Sequence, residues 1–293
     1  MKRKFSTRII TCIATSAVLA AGTLSFTVIN AIADEVVSYY GLSADGTVVS
    51  GTVTDYTKIT STDTAWGIAG KETWYVADGI VNIITTTYDY DNNKNVYNPV
   101  EIKGNVNVIL KNGAVVSVVN GIAGTDATIT FYSESENASG VIGFIGATGD
   151  DGGWGTTNSG SDEANGKNGE DGKDAVNVSS FTVAGGTVTV IGGDGGKGGG
   201  AGYGTNYDTN ESYYGVGGDG GNGSVAITDN TKVYLNGGRL NVTAGRGGNP
   251  GTNTHVPSEQ QDNYNGKPGN HGTSVSGISV SYTHLTLPTN REV

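Results

Sequence analysis

The chain has little cysteine, arginine or proline, and each shortage closes off a class of function. Its single cysteine, Cys12, lies inside an apolar N-terminal stretch, so the rest of the chain has no disulfide or thiol chemistry. Cys12 follows Ile-Ile-Thr, which is the wrong context for a lipoprotein site. Between the two ends of the chain the arginines are Arg239 and Arg246 alone. The formal net charge is −11, and it becomes about −15 once the basic leader (Lys2, Arg3, Lys4, Arg8) and the tail residues Arg291 and Glu292 are set aside. So acidic a surface repels nucleic acid and anionic membranes, because phosphate binding needs Lys and Arg to release counterions. Five prolines against 49 glycines, with no sustained Gly-x-y frame, exclude a collagen triple helix. No stretch beyond residue 33 has a helical period.

Both ends stand apart from the middle. Met1 to Ala33 reads as a secretory signal, with a basic start, an apolar run from Ile9 to Val28, and Ala31-Ile32-Ala33 before Asp34. The competing reading is an uncleaved anchor, since about 20 apolar residues span a bilayer. At the other end, Val280 to Thr289 resembles a translated sequencing-library adapter. Residues 280–293 are therefore expected to be a non-native tail on a gene cut near Ser279, against the plainer reading of a short polar tail. In that case His284 and the sortase-like Leu287-Pro288-Thr289 carry no weight. The triplet departs from the LPxTG pattern anyway, with Asn290 and Arg291 where Thr and Gly belong.

What the chain does have is a glycine-punctuated repeat. Gly166, Gly169 and Gly172 return as Gly217, Gly220 and Gly223, and again as Gly266, Gly269 and Gly272, at steps of 51 and 49. Phe181-Thr-Val-Ala-Gly-Gly186-Thr-Val-Thr-Val190 matches Val233-Tyr-Leu-Asn-Gly-Gly238-Arg-Leu-Asn-Val242 at a step of 52. A period of about fifty residues signals stacked units, none of which buries its apolar face alone. Short alternating runs support an all-β class: Val106, Val108 and Leu110; Val116 and Val118; Ile129 and Phe131; Val188 and Val190; Leu240 and Val242. Each run stops at Gly or Asn-Gly, and a corner residue with positive φ favours Gly. The sequence thus predicts an all-β solenoid of glycine-rich repeats; a β-sandwich would need loops longer than about 15 residues. The glycine triplets are expected in loops, or as short extended helices packed side by side.

Two regions precede the tail: a small N-terminal β region over 34–98, and glycine-rich repeats over 99–279. Trp74-Tyr75-Val76-Ala-Asp-Gly79, then Val100-Glu-Ile-Lys-Gly-Asn-Val-Asn-Val-Ile-Leu-Lys-Asn-Gly113-Ala-Val-Val-Ser-Val118, then Gly185-Gly-Thr-Val-Thr-Val-Ile-Gly-Gly-Asp-Gly-Gly196, resembles the glycine-rich, adhesin-like surface proteins of gut bacteria. The resemblance runs from Thr73 to Ser279. It implies a right-handed parallel β-helix and an adhesin-like or extracellular-matrix role, and it transfers no catalytic residue. The long Tyr- and Asn-rich inserts depart from that pattern.

Motifs for chemistry are weak. Gly193-Asp-Gly195-Gly-Lys-Gly198 fits G-x-G-x-x-G, but no helix follows to hold a pyrophosphate. Lys197 precedes Gly198 rather than Ser or Thr, so a Walker loop fails too. Asp89, Asp91, Asn93 and Asn95 alternate as calcium ligands do, yet lack the Gly and closing Glu. Asp89, Asp91 and Asn93 are thus the only metal candidates, for Ca2+, against a solvated hairpin turn. Asp150, Asp194 and Asp219, in Gly-Asp-Gly or Asp-Asp-Gly settings, read as turn residues. Outside the ends the histidines are His255 and His271, and neither an HExxH nor a G-x-S-x-G motif is present. The carboxylate pairs Asp150-Asp151, Asp162-Glu163 and Glu170-Asp171 lie in Gly/Asn loops, where charge solvates backbone. The reading is not an enzyme.

The functional expectation therefore rests on the inserts. Tyr203, Tyr207, Tyr213 and Tyr214 stand among Asn and Asp, and Trp154 and Tyr264 hold equivalent loops one repeat away on either side. Tyr with Asn, Ser and Gly makes an amphipathic contact surface at low conformational cost. The sequence thus predicts a secreted or cell-surface protein binding glycan, mucin or a surface protein through these six aromatics. The alternatives are a ligand-free stalk or matrix repeat, and an accessory region of a carbohydrate-active enzyme.

Overall fold

The computed structural model describes residues 35–91, 94–137, 139–156, 164–206, 211–256, 265 and 267. Among them the chain is all-β, with no α-helix. The first sheet is built on β4 (Ala65–Ala77), β8 (Val100–Leu110), β10 (Ile122–Ser133), β12 (Val176–Val183) and β16 (Lys232–Leu235), each parallel to the next. The second takes β5 (Ile80–Ile84), β9 (Val115–Val119), β11 (Val141–Ile145), β13 (Thr187–Ile191) and β17 (Arg239–Thr243), again all parallel. The chain alternates between the two sheets, so the spatial order follows the sequence order. Register explains the step of 52: Phe181 lies opposite Val233, and Val188 opposite Leu240. β4 and β8 pair side by side although Pro99 separates them in sequence.

Among the described residues, four of the five passages from the first sheet to the second turn at a glycine. Gly79, Gly113, Gly186 and Gly238 have φ of +76°, +73°, +74° and +67°, where a Cβ would be strained. Between the sheets lies the core, where Val116, Val118, Ile142, Val188 and Val190 face Val106, Val108, Ile129, Phe131, Phe181 and Val183. Each fully buried aliphatic or Phe side chain stabilises by about 1.5–3 kcal/mol. From Val106 to Leu110 every residue of β8 is buried, which corrects the simple alternation expected there. The physical reason is a second apolar layer on the outer face. β1 (Val37–Leu42) and β2 (Val48–Val53) form a hairpin whose Val37, Tyr39 and Val53 pack with Trp74, Val76 and Ile109.

A charge cluster fastens the start of this hairpin. Lys111 Nζ lies 3.1 Å from both Glu35 and Asp78, and Lys58 lies 3.5 and 3.6 Å from the same two carboxylates. The Lys111 ammonium holds both carboxyls below their ordinary range, and Asp78 and Glu35 in turn raise Lys111. Depressed carboxylates contribute above their unfolded value and lose that contribution as pH falls; the raised lysine contributes until pH climbs past its own value. Amide exchange of Val37–Leu42 is expected to quicken, relative to intrinsic rates, on going from neutral pH to about pH 3, below the ordinary carboxylate range. Unchanged protection would show that the clamp contributes nothing.

The glycine-rich tracts form a third structural layer. Segment I (146–155) leaves the second sheet and segment II (164–173) returns; segments III (192–202) and IV (215–224) do the same one repeat later, and segment V (245–252) begins a third excursion. Hydrogen bonds recur at every third residue. Gly146, Gly149, Gly152 and Gly155 donate to carbonyls of or just before segment III, and Gly192, Gly195, Gly198 and Ala201 donate to carbonyls of or just before segment V. A second row, Gly193, Gly196, Gly199 and Gly202, donates to Lys173, Glu170, Lys167 and Ala164 in the antiparallel segment II. Extended chains with a three-residue period are left-handed, polyproline-II-like helices. Their packing leaves no room for a Cβ: at Gly193, Gly196 or Gly199 one would overlap the backbone of segment I. Extended segments packed side by side, with hydrogen bonds at every third residue, are the observed arrangement.

Such packing uses two rows of amides and leaves the third facing out. Here side chains from the preceding repeat supply the acceptor. Asn165, Asn168 and Asp171 accept from the amides of Val216, Asp219 and Asn222 at 2.6–2.7 Å, each 51 residues on. Asp151 accepts from Lys197 (2.8 Å), Asp194 from Arg246 (2.7 Å), and Asp219 from Lys267 (2.6 Å). This corrects the reading of Asp194 and Asp219 as turn residues. Both lie within extended segments, where a bound carboxylate satisfies an amide that would otherwise face solvent. Asp150 also lies in an extended segment, and its carboxylate accepts from the Tyr97 hydroxyl at 2.8 Å. The acidic composition of the repeats therefore has a backbone cause.

Candidate binding face at the end of the glycine-rich layer

The three-residue period decides which side chains share a face. The outward row of segment I is Thr148, Asp151 and Trp154, and that of segment III is Asp194, Lys197 and Gly200, continuing to Tyr203. The third row is Arg246, Asn249 and Thr252, continuing to His255. Asp151 and Asp194 are tied to backbone amides of the next segment, which fixes the rows against one another. The far end of this face is aromatic. Trp154 is 79% exposed, and its indole lies over Gly200, where an added Cβ would come within 2.6 Å of the ring. Tyr203 stacks against His255 with ring centroids 4.4 Å apart.

An exposed indole resting on glycine backbone is a flat, pre-positioned contact surface. Tyr203 pairs with Tyr214 across a short hairpin, β14 (Tyr203–Asn206) and β15 (Glu211–Tyr214). Tyr203 and Tyr214 are 41% and 39% exposed, and Tyr213 folds over Gly204. Of the six predicted aromatics, the structure thus brings Trp154, Tyr203, Tyr213 and Tyr214 to one end of the glycine-rich layer. Tyr207 and Tyr264 lie outside the described residues. No family model, curated protein or solved structure matches this chain. Its function has to be read from its own surface.

His255 is the residue that sequence reasoning passed over. Its signal was present: it stands 52 positions after Tyr203, the same step that relates Phe181 to Val233. The calcium candidates fall on another hairpin, β6 (Thr86–Asp89) and β7 (Lys94–Tyr97). There the Asp91 amide donates to Asp89 Oδ1 at 3.0 Å, a local turn contact. Asn93 lies outside the described residues. Among the described residues, no three His, Cys, Asp or Glu side chains converge as metal ligands.

Among the described residues, grooves also lie away from the glycine-rich layer. One, of about 480 Å³, follows the β10 bulge and is lined by Glu101, Asp126, Asn177 and Asn230. Glu101 is engaged there by Lys103 at 2.8 Å, and Asp126 holds a positive φ of 57°. Another, of about 530 Å³, lies between residues 52–57 and the middle of β4. At the root of segment II, burial pushes the Asp174 carboxyl upward, reinforced by the nearby Asp229.

Proposed function

We propose that this chain is a secreted or cell-surface, adhesin-like protein that binds glycans through the aromatic end of its glycine-rich face. The observation carrying the reading is Trp154, 79% exposed and seated on Gly200, three residues before Tyr203, whose ring stacks on His255. Aromatic faces stack on the apolar flanks of pyranose rings, and indole and phenol rings add a polar edge. The net charge of −11 supports a neutral or weakly charged ligand over a polyanion. We further propose that the two sheets are the faces of a right-handed parallel β-helix. The support for this is the strand order, in which each repeat adds one parallel strand to each sheet. A solenoid of this kind holds successive inserts on one side, so that small contacts recur and add.

Retention of the protein on an array of immobilised neutral glycans tests the proposal. Trp154→Ala is expected to weaken retention at least about tenfold, equal to 1.4 kcal/mol, with the thermal midpoint unchanged because the indole is outside the core. Tyr203→Ala and His255→Ala are expected to weaken it less. Retention of the parent that Trp154→Ala leaves intact would remove the aromatic end from the binding surface. No retention of the parent on any glycan would favour the stalk or matrix reading.

A further inference from the structure

The groove beside β4 holds a second aromatic and polar constellation, remote in sequence from the glycine-rich inserts. From its lining we infer that it is a separate binding site for a neutral saccharide. Its volume of about 530 Å³ lies in the range of small-ligand sites. Trp74 and Tyr56 give it aromatic walls, and Asp55, Lys71 and Glu72 stand at its polar positions.

Three features show that the lining is held in place. The Trp74 indole is half-buried and packs in a three-ring cluster with Tyr39 and Tyr132, at centroid distances of 4.7 and 5.5 Å, the two tyrosines being 5.3 Å apart. Glu72 Oε1 accepts a 2.7 Å hydrogen bond from the amide of Asn107, itself only 8% exposed. A buried amide thus aims a surface carboxylate, whose second oxygen accepts no hydrogen bond among the described residues. The β4 backbone also leaves register with β8 between Gly67 and Glu72. Gly67, Gly70 and Gly104 hold φ of +93°, +73° and +67° around this bulge, and a Cβ at Gly104 would overlap the Ile68 carbonyl. Bulges of this kind re-aim side chains, and this one carries Lys71 and Glu72 to the groove.

The chemistry selects the ligand class. One basic and two acidic groups leave a single net negative charge, which disfavours sulfated or carboxylated polymers. Two carboxylates are too few to coordinate calcium without other donors. The lining is too polar for a lipid. Aromatic walls with an oriented carboxylate and threonine hydroxyls match a pyranose, with apolar faces and a rim of hydroxyls.

The three tryptophans allow a clean test on the full chain. Trp66 is fully buried, its Nε1 bonded to Asp63 at 2.8 Å, so a ligand leaves its emission unchanged. In Trp154→Ala, Trp74 becomes the reporter. Titration of that protein with cellotriose, maltotriose and mannotriose is expected to give a saturable emission change with at least one, at a Kd of about 1 mM or tighter. Adding Glu72→Gln, which removes the charge but keeps an oxygen to accept from Asn107, is expected to weaken that binding at least about tenfold while the melting midpoint stays put. No saturable change with any of the three sugars, or a change that Glu72→Gln leaves untouched, would overturn the site. Because the titration is made without Trp154, its outcome is independent of the aromatic end of the glycine-rich face.

Discussion

Gly196→Ala is expected to dismantle the glycine-rich layer while leaving the sheet core folded. Gly196 sits in the central segment, donating to Glu170 and accepting from Gly221, both at 2.8 Å. A Cβ there would overlap the Asp150 carbonyl, which is backbone and cannot rotate away. The segments would have to separate, breaking hydrogen bonds on either side. Overpacking together with lost hydrogen bonds of about 1 kcal/mol each sums to about 3 kcal/mol or more. Hydrogen exchange is the measurement: amides of residues 146–155, 164–173, 192–202 and 215–224 should lose protection, while those of β8 to β13 keep it. Gly153→Ala provides the control. Its nearest neighbour is the flexible Lys167 side chain at 3.6 Å, so stability should hold or rise by up to about 1 kcal/mol. Equal effects from the two substitutions would refute the packing account.

The second large effect is expected in the core. Phe131, Phe144 and Phe181 are fully buried and form a triad with centroid distances of 5.2, 5.7 and 6.1 Å. Phe131 and Phe181 lie two register positions apart on adjacent strands of the first sheet, Phe131 opposite Val183 and Phe181 opposite Ile129, and Phe144 meets them from the second. Phe181→Ala removes the ring that joins neighbouring repeats and leaves a cavity, at a cost of about 3–5 kcal/mol. For a chain of this size the melting midpoint should fall by roughly 10 °C. Phe181→Leu, which refills most of the volume, should recover more than half of the loss. A loss below about 1 kcal/mol for Phe181→Ala would mean that the triad is not the seam between the sheets.

The candidate face was partly visible before folding. Trp154 and the tyrosines drew attention because aromatics amid Asn, Asp and Gly are unusual for loops that merely connect. Nothing in their composition said that Trp154 would lie on Gly200, or that His255 would stack on Tyr203. That required the three-residue period of segments I, III and V, which becomes a face only when the segments lie side by side. The groove beside β4 was invisible for a different reason. Thr52–Thr57 and Lys71–Tyr75 come together only because the β1–β2 hairpin folds over the outer face of the first sheet. No periodicity within either segment encodes that meeting.

Sequence alone determined the all-β class, the repeat length and the strand cores. Alternating Val, Ile and Phe set which face of a strand is buried, and glycine at fixed steps set where it turns. The step of 51 seen in the glycine triplets is the separation across the hydrogen bonds from Val216 to Asn165 and from Asn222 to Asp171. Tertiary structure decided what the glycines and acidic residues are for. A glycine read alone is a flexible loop residue; packed against a neighbouring carbonyl it is the only residue that fits. An aspartate in Gly-Asp-Gly read alone is a turn; beside the next repeat it is the acceptor for an amide the packing leaves outside. Both roles depend on a neighbour about fifty residues away, and only stacking supplies that neighbour.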